Sequence, residues 1–187
     1  MKISRRQLRS IISEVLLKEA YVTHDVVKQK IKKNIDEFMK IDIDGFEELM
    51  QEIAVVETGT MVDGVVNHNN EMSGQIRGVF QLSPIALKQL RKSTTIPATK
   101  AKFDASTATK DPWDKQTNAD VFSTVGMQTA AAVMYAMWAY INLAGSPDLS
   151  SVDARAKFWA NHYNTTADPL GTAQLYKDRV KLFLNRE

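Results

Sequence analysis

Residues 127–144, MQTAAAVMYAMWAYINLA, form a stretch of 18 residues without a single charge. A helix that is apolar all round is one that its neighbours bury on every side. The stretch also reaches the shortest length that spans a bilayer. However, it is rich in alanine, it contains Gln128, Thr129 and Asn142, and it lacks flanking basic anchors. The sequence therefore predicts a central core helix that ends at Gly145.

The composition of the 187-residue chain is that of an ordinary globular protein, with 44% hydrophobic and 25% charged residues. The net charge of +2 is too small by itself to indicate nucleic-acid binding, so we expect no nucleic-acid partner. Cysteine is absent, which excludes disulfides, thiol nucleophiles and zinc–thiolate sites. The three histidines lack metal-ligand spacing, and no phosphate-binding loop or nucleophile elbow is present. We expect neither a metal nor a cofactor.

The N-terminal segment, residues 1–22, is predicted to be a basic amphipathic helix, because its apolar residues fall near helical spacing with arginines between them. Charged residues interrupt the apolar stretch, so no secretory signal is predicted. Two interpretations stay open: a helix that packs on the domain, and a helix that contacts a membrane surface or a partner protein. Residues 23–187 are predicted to form the main domain. Thr23 is the N-cap candidate for its first helix, and its last helix is predicted to start at Thr172.

Glu57 is the first candidate for chemistry. It closes a predicted helix that starts near Asp44 and ends at Thr58-Gly59. Burial and a helix C-terminus both disfavour an ionised carboxylate, so we expect its pKa to be raised. The preceding residues place an apolar stripe on one face of that helix: Phe46, Leu49, Ile53 and Val56.

The polar stretch 61–78 follows. Its Asp63-Gly64 and Asn69-Asn70 pairs are typical of hairpin turns. Short strands are predicted at Val65-Val66 and Gln75-Ile76 beside those turns. Ser83-Pro84 then predicts the start of another helix, with Ser as N-cap and Pro at the first helical position.

Residues 93–116 form a long connection with little periodicity, and such loops are usually functional or mobile. Trp113 lies in it. Two interpretations of this residue are equally supported: a hydrophobic plug, or a platform on which a sugar ring stacks.

These pieces, taken in chain order, resemble the lytic transglycosylase and goose-type lysozyme branch of the lysozyme-like superfamily. Residues 55–59, VVETG, are similar to the helix end that carries the catalytic glutamate. Residues 73–84, SGQIRGVFQLSP, are similar to the Ser-x-x-Gly-x-x-Gln-(Leu/Ile)-x-Pro segment that lines the substrate groove. Residues 159–165, WANHYNT, are similar to the late Tyr-Asn motif whose tyrosine lies near the glutamate. Within this branch, the chain most resembles phage-encoded wall-lytic enzymes, both endolysins and virion-associated lysins.

The resemblance implies an α+β, predominantly α-helical, lysozyme-like fold with a small β-hairpin region beside the cleft. It implies cleavage of the β-1,4 bond between N-acetylmuramic acid and N-acetylglucosamine in peptidoglycan glycan strands. Glu57 would be the general acid and, in a lytic transglycosylase, also the base. An inverting lysozyme needs a second carboxylate to activate water, and Asp63 and Glu71 are the candidates for it.

The resemblance also assigns substrate contacts. Gly78 and Gln81 would hold the N-acetyl or glycan groups, and Tyr163 would position Glu57 or the sugar's C6 hydroxyl. Asn164 would support the turn of its motif. The chain departs from the family pattern where Thr58 stands in place of the common serine, and where the Tyr-Asn motif lacks the usual Ala-Gly.

A non-enzymatic alternative stays open: a virion or envelope structural protein with a degenerate lysozyme fold that binds glycan or a partner protein. The sequence does not separate hydrolase from transglycosylase. Without a predicted signal, we expect synthesis in the cytoplasm, followed by action on the periplasmic cell wall after release, or carriage in a virion.

Overall fold

The computed structural model describes residues 21–58, 65–67, 71–72, 75–76, 78–96, 100–101, 112–164 and 169–186. Most of these residues are helical, which confirms the prediction of a predominantly α-helical chain. The seven α-helices of the described residues are α1 (His24–Lys32), α2 (Phe46–Thr58), α3 (Pro84–Lys92), α4 (Asn118–Phe122), α5 (Val125–Asn142), α6 (Val152–Phe158) and α7 (Pro169–Leu184).

Two of the helices continue as π-helical turns. Helix α1 runs into the turn Lys33–Met39, which ends at Lys40 with a φ of +49°. Helix α6 runs into the turn Trp159–Tyr163. A single 3-10 turn among the described residues spans Trp113–Lys115.

Side-chain caps fix where several helices begin. Thr23 accepts a hydrogen bond from the Val26 amide at the start of α1, and Ser83 accepts one from the Ala86 amide at the start of α3. Both residues match the predicted N-caps, because a hydroxyl satisfies an amide that has no partner inside the helix. Helix α7 begins at Pro169 rather than at the predicted Thr172, since proline is well suited to the first helical position.

Helix α5 is the centre of the fold. Residues 127–136 and Ala139 are buried, and α1, α2, α3 and α4 all pack against it. The prediction of a core helix buried by its neighbours is therefore confirmed, although the helix ends at Asn142. Among the helices of the described residues, none combines the length and hydropathy needed to cross a bilayer.

The strands are short. Strand β1 (Tyr21–Thr23) pairs antiparallel with β2 (Val65–Asn67), and β3 (Glu71–Met72) pairs antiparallel with β4 (Gln75–Ile76). The two predicted strands therefore do not pair with each other. These pairings of two or three residues do not establish a lysozyme-like fold or a hairpin region beside a cleft.

The N-terminal prediction is corrected at its end. Residues 1–20 of the predicted basic helix lie outside the described residues. Tyr21 and Val22 belong to strand β1 instead of closing that helix. Tyr, Val and Thr are strand-forming residues, and the partner strand β2 offers them a backbone ladder that a helix end does not.

Candidate functional site

Glu57 lies in the last turn of α2, where it is largely shielded from solvent, and residues 49–56 before it are buried. Burial, which disfavours the charged form, raises the pKa of this carboxyl to about 7. A hydrogen bond from Trp159 and the positive charge of Arg179 act in the opposite direction and lower the pKa. The resulting carboxyl is one that gives up a proton near neutral pH.

Trp159 holds the Glu57 side chain in place. Its indole Nε1 donates a 2.8 Å hydrogen bond to Glu57 Oε1. The indole is buried and packs against Tyr176, with the two ring centroids 5.3 Å apart. The sequence showed Trp159 as part of the late motif but gave it no role. The spacing of four residues from Tyr163, which places both on one helical face, is the signal that could have found it.

Tyr163 contacts the turn at residues 78–81 and lies close enough to Glu57 to feel its charge. Its hydroxyl donates a 3.3 Å hydrogen bond to the Phe80 carbonyl, and its ring meets the ring of Tyr135 edge-on at 5.3 Å. Burial first, and the negative charge of Glu57 next, raise the pKa of Tyr163 well above its ordinary value. Two of the predicted site residues, Glu57 and Tyr163, are thus brought together, with the predicted groove segment beside them.

The turn at residues 78–81 has a fixed shape. Gly78 has a φ of +69° and Gln81 a φ of +48°. Both the backbone N–H and the side-chain Nε2 of Gln81 donate to the Gly78 carbonyl, at 3.3 and 3.1 Å. The Val79 amide donates to Gln128 Oε1 at 3.0 Å, which ties the turn to α5. The side-chain amide nitrogen of Gln81 is therefore engaged within its own turn.

Asn164 ends the π-helical turn that carries Trp159 and Tyr163. Its backbone N–H donates to the Trp159 carbonyl at 2.7 Å, with φ −95° and ψ 88°. This backbone bond closes the turn. The Asn164 side chain has no described role.

Neither side chain of the two proposed second carboxylates lies among the described residues. Asp63 lies outside the described residues. Glu71 lies in strand β3, and its side chain is outside the described part. The structure therefore does not relate either group to Glu57.

The burial of Trp113 decides between its two interpretations. Its side chain is fully buried, and the Arg91 guanidinium lies 5.8 Å from its ring centroid. A buried ring offers no face to a sugar, so Trp113 is a hydrophobic plug and not a platform.

The structure contains a buried ionic cluster that the sequence did not predict. Glu52, on α2, is fully buried. Its two oxygens accept 2.8 Å hydrogen bonds from Nε and Nη2 of Arg155, and Oε2 also accepts one of 2.8 Å from the Tyr176 hydroxyl. Arg186 Nη1 lies 3.3 Å from Glu52 Oε1. We call these four residues, Glu52, Arg155, Tyr176 and Arg186, the Glu52 cluster.

The Glu52 cluster anchors the C-terminal part of the chain onto α2. Arg155 also donates to the carbonyls of Leu149 and Ser150, at 2.9 and 3.1 Å. Every strong contact of this buried carboxylate is to a cation or a hydroxyl, which is what a buried charge requires. Glu52 therefore has a structural role, and Glu57 lies five residues further along the same helix.

Two described surface pockets lie elsewhere. One of about 490 Å³ lies between the start of α6, helix α7 and Arg186, and one of about 260 Å³ lies beside the loop before α6. Neither is lined by Glu57. Over the described ranges, no group of three or more acidic or histidine side chains is arranged to hold a metal.

Comparisons of this chain with protein-family models, with curated proteins and with solved structures found no significant match. The environment of Glu57 is therefore the basis on which a function is proposed. Its features are a shielded carboxyl that titrates near neutrality, a donor at 2.8 Å and a buried tyrosine beside it.

Proposed function

We propose that this protein cleaves the β-1,4 glycosidic bond between N-acetylmuramic acid and N-acetylglucosamine in bacterial peptidoglycan, on a lysozyme-like fold, and so causes cell-wall lysis. The observation that carries the proposal is the carboxyl of Glu57, whose pKa is raised to about 7 at the end of a core helix. A general acid must hold its proton at the working pH and release it to the leaving oxygen, and this pKa meets both needs.

The reaction begins with transfer of the Glu57 proton to the glycosidic oxygen as the bond to the sugar carbon breaks and an oxocarbenium-like state develops. In a lytic transglycosylase the resulting carboxylate then takes the proton of the sugar's own C6 hydroxyl. The C6 oxygen bonds to the sugar carbon, and an anhydromuramoyl end forms. One carboxylate performs both steps, so no cofactor is needed.

A lysozyme-type hydrolase remains the other form of the proposal. There a second carboxylate activates water, and Asp63 or Glu71 in the polar stretch would supply it. The finer architecture, with a hairpin region beside the cleft, belongs to the same proposal. The 78–81 turn supports it, because its backbone approaches the Tyr163 hydroxyl beside Glu57.

Zymography on embedded peptidoglycan tests the activity. Wild-type protein should clear the gel, and Glu57→Gln, which keeps the size of the side chain but has no proton to give, should abolish clearing. Glu48→Gln, an exposed carboxylate on the same helix, is the matched control and should clear normally. Absence of clearing by the wild type, or full clearing by Glu57→Gln, would overturn the proposal. Mass spectrometry of the released ends separates anhydro products from hydrolysed ones.

The non-enzymatic alternative is a virion or envelope protein that binds glycan or a partner through a degenerate fold. Its working parts would then be the basic segment 1–22 and the long connection 93–116. Under this alternative wild-type protein would sediment with peptidoglycan sacculi and release no soluble fragments, and Glu57→Gln would sediment equally.

A further inference from the structure

Helix α7 brings a cation to the end of α2. Arg179 Nη1 donates a hydrogen bond to the Val56 carbonyl, one residue before Glu57. That carbonyl belongs to the last turn of α2, where backbone carbonyls lack partners inside the helix. Arg179 therefore caps the helix and also places its positive charge beside Glu57, whose pKa that charge lowers.

Trp159 approaches Glu57 from a different element. Its indole N–H, on the π-helical turn that follows α6, points at Oε1. An N–H donor stabilises a carboxylate more than a carboxylic acid, because the charged oxygen is the stronger acceptor. Two groups from two elements thus favour the same form of Glu57, the form that burial opposes.

We propose that Arg179 and Trp159 are positioning residues that hold the carboxylate of Glu57 after it has given up its proton, so that it is ready to accept the second one. The inference rests on the proposed function. When the proton passes to the glycosidic oxygen, Glu57 becomes an anion in a shielded site. The indole N–H and the guanidinium stabilise that anion until it takes the proton of the C6 hydroxyl, or of water, and the acid is restored.

Comparison with the Glu52 cluster shows why Arg179 should not form a direct ion pair with Glu57. Arg155 binds both oxygens of Glu52 directly, through two hydrogen bonds of 2.8 Å, and such bidentate pairs are the strong ones. Between described residues no ion pair joins Arg179 to Glu57. Its guanidinium is held by the Val56 carbonyl instead. Glu57 therefore receives enough stabilisation to exist as an anion but not so much that it stops being an acid.

Few charged or titratable groups surround Glu57 in the part of the chain that the structure describes. Among the described residues, the charged or titratable groups that face it from packed elements are Arg179 on α7 and Tyr163 on the π-helical turn. Tyr163 is neutral near pH 7, since its pKa is raised. Arg179 is thus the charged group whose removal should alter the titration of Glu57 most directly, whereas the hydrogen bond from Trp159 lowers the same pKa more strongly.

Carbon-13 NMR titration of glutamate carboxyls tests the inference on the whole protein, with the Glu57 signal assigned by its loss in Glu57→Gln. Arg179→Met should raise the pKa of Glu57 by about one unit, and Trp159→Phe should raise it in the same direction. Arg179→Lys keeps the positive charge, so the pKa of Glu57 in this variant should stay close to its wild-type value. Lys177→Met, on the same helix, is the control and should leave the pKa of Glu57 unchanged.

The activity profile gives the second readout. In Arg179→Met the alkaline limb of kcat/KM should move to higher pH, and kcat at neutral pH should fall about tenfold. A Glu57 titration that is unchanged in both Arg179→Met and Trp159→Phe overturns the inference. Because Arg179 also caps α2, a folding failure of Arg179→Met leaves the Glu57 titration in Trp159→Phe to decide the inference. If the wild type proves inactive, the proposed function fails, whereas the NMR result still judges the positioning of Glu57.

Discussion

The indole Nε1 of Trp159 donates a 2.8 Å hydrogen bond to Oε1 of Glu57, although 102 residues separate the two in the chain. The bond joins the last turn of α2 to the first residue of the π-helical turn after α6. It forms because α7 packs against both α2 and that turn. The geometry of the candidate acid therefore depends on the C-terminal third of the protein, and not only on the helix that carries it.

We expect activity on peptidoglycan to fall as the pH rises through about 7, because the acid must be protonated and the pKa of Glu57 lies there. Rates of release of soluble fragments from sacculi, measured across that interval, check this expectation. A rate that is constant through the interval would show that Glu57 is not the acid that limits the reaction.

The same pKa shift makes stability depend on pH. The carboxyl of Glu57 has an ordinary value of 4.5 and a folded-state value of about 7. Between these values the folded protein binds more protons than the unfolded chain, so the free energy of unfolding falls as the pH rises, by at most about 1.4 kcal/mol per pH unit. This contribution is fully present below 4.5 and is lost above about 7.

Urea unfolding of the wild type and of Glu57→Gln across this window measures the effect. The variant lacks the titrating group, so the difference between the two stabilities should change with pH through the window and level off above it. Parallel curves for the two proteins would contradict the pKa shift.

We expect Arg155→Met to destabilise the fold by about 3–5 kcal/mol, since it removes the principal partner of a fully buried carboxylate. Replacing both residues, as in Glu52→Leu with Arg155→Met, should cost less than the sum of the two single changes. Chemical denaturation of the four proteins gives the coupling energy.

An exposed ion pair serves as the control for the Glu52 cluster. Lys177 Nζ lies 3.1 Å from Asp153 Oδ1, and both side chains are substantially exposed. Lys177→Met should change stability by less than about 1 kcal/mol. An equal loss in Lys177→Met and Arg155→Met would show that burial of Glu52 is not what makes its pairing important.

The sequence predicted those parts of the fold whose causes are local. The uncharged stretch at residues 127–144 predicted α5, and the hydroxyl N-caps Thr23 and Ser83 marked where α1 and α3 begin. Glu57 was selected as a candidate because it ends an apolar helical stripe two residues before a glycine. Each of these signals lies within a few residues of the feature that it predicts.

The parts that were missed depend on contacts between distant segments. Glu52 lies within the same apolar helix, and its partners Arg155 and Tyr176 are 103 and 124 residues away. Nothing near Glu52 distinguishes a buried structural carboxylate from an exposed one. Trp113 was left undecided for the same reason, because only packing shows whether a loop tryptophan faces the core. The partner of strand β2 was likewise a segment more than 40 residues earlier in the chain.

Tyr163→Phe should reduce the free energy of unfolding by about 1 kcal/mol, because the Phe80 carbonyl loses a buried donor. Clearing should weaken but persist, since the acid itself is untouched. Tyr140→Phe is the control: its ring packs edge-on against Phe46, and the described residues give its hydroxyl no hydrogen bond. Identical behaviour of the two variants would show that the Tyr163 hydroxyl does not hold the 78–81 turn.

Gly78→Ala should be more destabilising than Gly145→Ala. Both glycines have a positive φ, +69° at Gly78 and +67° at Gly145, so both variants carry a backbone penalty of about 1–2 kcal/mol. A Cβ at Gly78 would lie 2.3 Å from Oε1 of Gln128, whereas one at Gly145 would meet nothing within 4 Å.

The Gln128 amide cannot move away freely. Its Oε1 accepts from the Val79 amide at 3.0 Å, and its Nε2 donates to the Phe122 carbonyl at 3.1 Å. Displacing it leaves the Val79 amide and the Phe122 carbonyl without this partner. We therefore expect Gly78→Ala to lower the free energy of unfolding by about 1–3 kcal/mol beyond the backbone penalty. Thermal and urea unfolding of the two variants measures this difference directly. Equal losses at Gly78 and Gly145 would mean that the turn can shift without breaking its bond to α5. The shape of the proposed groove segment would then not be set by Gln128.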